Sequence, residues 1–172
     1  MTKPYHELIA GRIYCGGAQD IQQMVDDEGI TLVVDLRAES TGCAASQPEL
    51  QWLQIPLSDH AEQPEDELFR AAIHAVVDAY RRGQKVAFHC GGGKGRTGTV
   101  AAGVLLELGL CKNVPEAEAM AKSIRPVINI KSDQRLSLTR LYPHQGDTDS
   151  AAPMSFFERY LTAWVEIGRA HV

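Results

Sequence analysis

The 172-residue chain is predicted to fold as an α/β domain with a central, mostly parallel sheet flanked by helices. Three observations predict it. Short apolar runs rich in β-branched residues alternate with helical segments. The best-punctuated helix stands between two such runs. The C-terminal half then reads as consecutive helices.

"RIYCGG" is a short strand, and "AQDIQQMVDDEG" a helix closed by Gly29. "TLVVDL" is a buried strand, followed by the small-residue loop "RAESTGCAASQP" and a further strand, "QWLQIPL". "PEDELFRAAIHAVVDAYRRG" is the well-punctuated helix. Pro64 is expected in its first turn, acidic residues follow, Arg81 and Arg82 sit at its end, and Gly83 terminates it. Arg70, His74, Asp78 and Arg81 mark its wet face, while Phe69, Ile73, Val76, Val77 and Tyr80 mark its core face. "KVAFH" is a strand running into a glycine-rich loop. Three helices follow, "RTGTVAAGVLLELG", "VPEAEAMAKSIR" and "SDQRLSLTRLY". One domain is expected over residues 1–145, with a linker and an amphipathic helix ("MSFFERYLTAWVE") over 146–165. The last seven residues, "EIGRAHV", match the translation of a common short-read sequencing adapter, and 166–172 are expected to be a read artefact.

Hydrophobic content of 44% and charged content of 23% are those of a globular protein. A net charge of −5 argues against a general nucleic-acid binder or a polybasic membrane protein, so no nucleic-acid or membrane partner is expected. The most apolar stretch, "TVAAGVLLELGL", is shorter than a bilayer span and carries a glutamate, and the expected location is cytoplasmic. Cys15, Cys43, Cys90 and Cys111 form no C-x-x-C pair. They are expected as free thiols, with neither a metal site nor a cofactor.

The chemistry is concentrated in "FHCGGGKGRTGT", Phe88 to Thr99. A nucleoside-triphosphate loop would need a hydroxyl residue after the lysine, but Gly95 follows Lys94. Gly93, Gly95 and Gly98 spell G-x-G-x-x-G, yet the acidic residues at the right offset, Glu116 and Glu118, fall in a predicted helix. Too little chain remains for the rest of such a sheet.

A third reading uses more of the residues. Cys90 and Arg96 bracket five positions, and Thr97 follows. A free thiol ionises near pH ~8.5, but a glycine turn at a helix N-terminus can aim successive N–H groups inward and favour a thiolate. The same N–H groups of Gly91, Gly92, Gly93, Lys94, Gly95 and Arg96 would hold phosphate oxygens. The guanidinium of Arg96 can grip two of them in a planar fork. "QIPLSDHAEQPEDE" supplies a carboxyl group, Asp59, in a loop framed by Pro56 and Pro64, with Glu62, Glu65 and Asp66 as stand-ins.

"HCGGGKGRTG" resembles the loop H-C-x5-R-[ST]-G of the cysteine-dependent protein tyrosine and dual-specificity phosphatases, and "PLSDH" resembles their general-acid loop. The likeness runs from about Ile13 to Tyr142 and is nearest the small atypical group like the cyclin-dependent-kinase-associated phosphatase. It implies a dual-specificity-phosphatase-like fold and hydrolysis of phosphotyrosine or phosphoserine/threonine, in a protein or small phosphomonoester, through a phosphocysteine. It also implies a pH optimum on the acid side of neutrality. Cys90 would be the nucleophile, Arg96 the phosphate and transition-state ligand, Asp59 the general acid, and Thr97 the donor to the departing sulfur. His89 would brace the loop, and Gln134 would stand behind the pocket. Lys94 would favour acidic substrates. Gly91, where phosphoinositide phosphatases of this type carry a lysine, weakens a lipid reading. Lipid, inositol or RNA 5′ phosphates and a non-catalytic phosphate-binding module remain the alternatives. Arg37 is expected to be a structural ion-pair partner, and a Cys43–Cys90 disulfide is the alternative to free thiols there.

Overall fold

Side chains alternate across a strand, and the sheet sorts its residues accordingly. Leu32, Val34 and Leu36 face one hydrophobic cluster with Val86, Phe88 and Cys90, whereas Val33, Ala87 and Tyr14 face a second. The computed structural model describes residues 3–143. Its strands are β1 (His6–Ile9), β2 (Ile13–Gly17), β3 (Leu32–Arg37), β4 (Gln51–Leu57) and β5 (Val86–Cys90), in the order β1-β2-β5-β3-β4. β1 runs antiparallel to β2, and the remaining pairs are parallel. The larger cluster carries the core-facing residues of α2 (Asp66–Arg81), α3 (Arg96–Glu107), α4 (Val114–Ile124) and α5 (Ser132–Leu141). α1 (Ile21–Glu28) covers the other face with Ile21, Met24 and Val25. The mostly parallel, helix-flanked sheet agrees with the sequence expectation.

The wet and core faces of α2 also fall as expected, with Arg70, His74, Asp78 and Arg81 exposed and Phe69, Ile73, Val76, Val77 and Tyr80 buried. Two details differ. β1, "HELI", carries charge at Glu7 and no apolar run, so its sequence gave no strand signal. Pro64 precedes α2 instead of opening it, because Glu65 is the N-cap. The Glu65 carboxylate turns back to accept from the Ser58 N–H at 3.0 Å, which closes the loop ahead of the helix. Among the described residues, no helix is long and apolar enough to cross a membrane. The expected linker, C-terminal amphipathic helix and 166–172 segment lie outside the described residues.

The C-terminal ends of β3, β4 and β5 deliver residues 38–50, 58–65 and 91–95 to one edge of the sheet. That edge is where open parallel sheets bind ligands.

Candidate active site

β5 ends at Cys90 and α3 begins at Arg96, so five residues make the turn between them. Groups around the loop take its carbonyls. Ala18 N–H donates to Gly91 O (3.0 Å), Arg125 Nε to Gly93 O (2.9 Å), Asn129 N–H to Lys94 O (3.1 Å) and Thr99 N–H to Gly95 O (2.9 Å). A trans peptide sets its O and the following H on opposite sides. Pinning these carbonyls outward therefore turns the N–H groups of Gly92, Lys94, Gly95 and Arg96 into the loop. The N–H groups of Gly91, Gly92, Lys94 and Gly95 find no acceptor among the described residues. The result is a concave set of donors at the start of a helix, a cradle for an anion.

Glycine at position 93 is required by this geometry. Gly93 has φ +72°, and a Cβ there would lie 2.7 Å from the backbone of Gly16 and 2.5 Å from Arg125 Nη2. Its N–H donates to Cys90 Sγ at 3.3 Å. The Thr97 hydroxyl donates to the same sulfur at 3.0 Å. Cys90 is 3% exposed, so a buried sulfur with two donors aimed at it sits on the floor of the cradle.

His89 is fully buried, and its Nδ1–H donates to the Cys90 carbonyl at 2.9 Å. Burial holds its pKa below the ordinary value. Its Nε2 has no hydrogen-bond partner among the described residues and stands 3.7 Å from Asp35 Oδ1. Burial opposes charge on Asp35, but Arg37 binds both its oxygens (2.9 and 3.0 Å) and Trp52 Nε1 donates at 3.1 Å, leaving its pKa at about 2. Arg37 is thus the structural partner it was expected to be.

The donors of Arg96 divide in two. Nη1 donates to Glu39 Oε1 (2.8 Å) and the Leu57 carbonyl (2.9 Å), and Nη2 donates to Glu39 Oε2 (3.0 Å). A guanidinium carries five N–H groups. The Nε–H and one Nη2–H remain, which form the side-on fork suited to a phosphate. Nε is buried with no hydrogen-bond partner among the described residues. Burial is the largest influence and works against this charge, but the hydrogen bonds donated to Glu39 and the nearby Cys90, Glu39 and Asp59 together outweigh it, and the pKa lies above the usual value.

Asp59 stands at the rim, with Oδ1 3.9 Å from Arg96 Nε. A cavity of about 200 Å³ is lined by Asp59, Cys90, Lys94, Arg96, Asn129 and Lys131. The other carboxylates considered are engaged elsewhere or apart: Glu65 with Ser58, Asp66 with Arg140 and Ser137, and Glu62 in a neighbouring cavity. Lys94 is exposed at the mouth, and its ammonium has no partner among the described residues. Gln134 is buried behind the loop, accepting from Lys131 N–H (2.9 Å) and Thr99 Oγ1 (3.4 Å). Cys43 packs against the cluster on the α1 face, while Cys90 belongs to the opposite one. Cys15, Cys43 and Cys90 form no disulfide.

Sequence reasoning missed Glu39, Arg125, Asn129 and Lys131. Each meets the site through contacts distant in sequence, and an isolated polar residue gives no local signal of such a contact.

The sequence model described as "Swiss Army Knife protein, DSP-PTPase phosphatase domain" matches residues 9–151. No curated protein sequence matches the chain significantly. Among solved structures, a mouse putative dual specificity phosphatase complexed with zinc tungstate is 22% identical, with 83% of this chain and 88% of that chain covered and a TM-score of 0.71. Human DUSP28 is 20% identical, covering 83% and 95%, with a TM-score of 0.71. Tk-PTP in its active form is 24% identical, covering 83% and 98%, with a TM-score of 0.66. At these identities the likeness is one of fold.

Proposed function

The chain belongs to the DSP-PTPase phosphatase domain family of Swiss Army Knife proteins, and from that premise we propose that it hydrolyses phosphotyrosine and phosphoserine/threonine esters through a phosphocysteine. The observation that carries this reading is the convergence on one cavity of a doubly hydrogen-bonded sulfur, a free guanidinium fork and a carboxyl group.

In the first step the three non-bridging oxygens of the substrate phosphate lie in the cradle of N–H groups and against the Nε/Nη2 fork of Arg96. The Cys90 thiolate attacks phosphorus as the bond to the ester oxygen breaks, and Asp59 gives its proton to that oxygen. In the second step Asp59, now a carboxylate, takes a proton from water as the water oxygen attacks phosphorus. The S–P bond breaks, and the electron pair returns to sulfur. The N–H of Gly93 and the hydroxyl of Thr97 receive the sulfur's negative charge. Inorganic phosphate leaves, and both groups regain their starting protonation.

Release of phosphate from p-nitrophenyl phosphate in EDTA, by the full chain, Cys90→Ser and Asp59→Asn, tests the reading. Wild-type turnover and at least about a 10⁴-fold loss in Cys90→Ser are expected. Turnover that survives Cys90→Ser refutes the mechanism, and an inert wild type that still binds phosphopeptide identifies a capture module. The free ammonium of Lys94 supports a second reading, in which inositol or RNA 5′ phosphates are the substrates. Preferential release of phosphate from these over phosphopeptides would establish it.

A further inference from the structure

The loop of residues 58–65 carries the carboxyl group that must meet the leaving oxygen, yet little holds it. Ser58 and Glu65 close its base. Among the described residues, the hydrogen bonds that tie residues 59–64 to anything outside the loop come from one side chain. Lys131 Nζ donates to the Asp59 carbonyl at 2.6 Å and to its Oδ1 at 3.3 Å. The nearest alternatives are weaker contacts, with Arg96 Nε 3.9 Å from Oδ1 and the exposed His60 3.8 Å from Oδ2.

Lys131 is itself fixed to the cradle. Its N–H donates to Gln134 Oε1 (2.9 Å), and Gln134 also accepts from Thr99 on the first turns of α3 and packs behind Gly95. Two residues before it, Asn129 N–H donates to the Lys94 carbonyl, and Ile128 and Ile130 are buried. An unbroken set of contacts therefore runs from the cradle through Gln134 and the Lys131 backbone to the Lys131 ammonium and on to Asp59. An isolated surface ion pair contributes about 0–1 kcal/mol. This ammonium does something a surface pair does not, because it holds a backbone carbonyl and so places the loop as well as the charge.

We propose that Lys131 is the positioning residue of the general acid, latching the Asp59 loop to the cradle so that the Asp59 carboxyl group stands over the leaving oxygen. The inference rests on Asp59 being the acid. Lys131 itself exchanges no proton.

An acid matters most when the leaving group is poor, so leaving-group dependence is a readout that neither a general charge effect nor a loss of stability would move. The full chain, Lys131→Met, Lys131→Arg, Asp59→Asn and the Asp59→Asn/Lys131→Met double variant are assayed with phenyl phosphate (poor leaving group) and with a fluorinated umbelliferyl phosphate (good leaving group). A positioned acid contributes about 10²–10⁴-fold, and Lys131→Met is expected to lose about tenfold in kcat/KM, which reports the leaving-group step alone, on phenyl phosphate. On the good substrate it is expected to lose less than about twofold. Lys131→Arg is expected to recover most of the loss, and the Lys131→Met effect to vanish when Asp59 is already Asn.

Equal losses on both substrates, or a loss that persists in the double variant, overturn the proposal while leaving Asp59 as the acid. No loss in Lys131→Met does the same. If Asp59→Asn shows no leaving-group dependence, the assignment of the acid falls, and the role of Lys131 falls with it.

Discussion

Residues 90–97 and residues 58–65 face each other across one cavity, and they are held in opposite ways. The cradle is buried at Cys90, Gly93 and residues 95–97, its carbonyls are taken by residues just after β2 and α4, by α3 and by the chain before α5, and its path depends on a glycine that admits no Cβ. The Asp59 loop is largely exposed, closes on itself through Ser58 and Glu65, and among the described residues is hydrogen-bonded outward through one lysine. The proposed mechanism gives the two different tasks. A set of donors that stabilises developing charge must be fixed before the reaction, since any reorganisation subtracts from the benefit. A carboxyl group that serves first a leaving oxygen and then a water, with a product departing between, has to allow passage.

The largest expected effect comes from striking the rigid side. In Gly93→Ala a left-handed backbone meets a Cβ that has no room beside Gly16. We expect a loss of about 3 kcal/mol in chemical denaturation. Phosphatase activity is expected to fall by more than about a hundredfold, since the same residue sends its N–H to the Cys90 sulfur. Gln63→Ala, on the exposed loop, is the contrasting case and should stay within about 0.5 kcal/mol. Comparable losses from the two changes would break the comparison.

The next effect sharpens it from below the cradle. Asp35 is fully buried beside His89 and bound by Arg37 and Trp52. Its folded-state pKa of about 2 lies beneath the ordinary 3.8. The unfolded chain therefore takes up a proton at a higher pH than the folded one. Stability from this group is complete above about pH 4 and is lost as pH falls toward 2. Asp35→Asn should cost about 2 kcal/mol at pH 7, with the difference from wild type closing as pH falls through that window. Urea melts at pH 7, 4 and 2.5 check it. A difference that stays constant with pH would place the effect in packing, not in charge.

These contrasts explain what could be read from the sequence. Cys90, Arg96 and Thr97 lie within eight consecutive residues, so the turn that joins them is local and its spacing is a direct signal. α2 was legible apart from the place of Pro64, because its acidic start, its basic end and its two faces are properties of its own residues. β4 was placed over the same residues, Gln51–Leu57, from its flanking turns and apolar content. β1 was not seen, since four residues with a charge in the middle carry no period. Glu39, Arg125 and Lys131 were missed for a different reason. They join the site across separations of 57, 32 and 72 residues, which only the assembled sheet brings together. The parts of the site built by backbone were visible, and the parts built by side chains reaching between loops were not.

Glu39 tests whether exposure alone decides to which side a residue belongs, and its effect should be the smallest. Its side chain is 57% exposed on the loop after β3, yet its carboxylate binds Arg96, which is 3% exposed. Arg96 holds the Glu39 carboxyl below the usual carboxylate range, so the pair is charged near neutral pH. Two consequences are possible for a carboxylate on a phosphate-binding arginine, and the donor count decides between them. Were Glu39 seated on the edge that phosphate needs, its removal would lower KM. It occupies the Nη1/Nη2 edge instead and leaves Nε and one Nη2–H free. Glu39→Gln should therefore lower kcat/KM by about fivefold, near 1 kcal/mol, by loosening the guanidinium. A fall in KM with kcat unchanged would show that Glu39 competes with substrate, and the loop after β3 would then be a gate over the cradle, not a part of its frame.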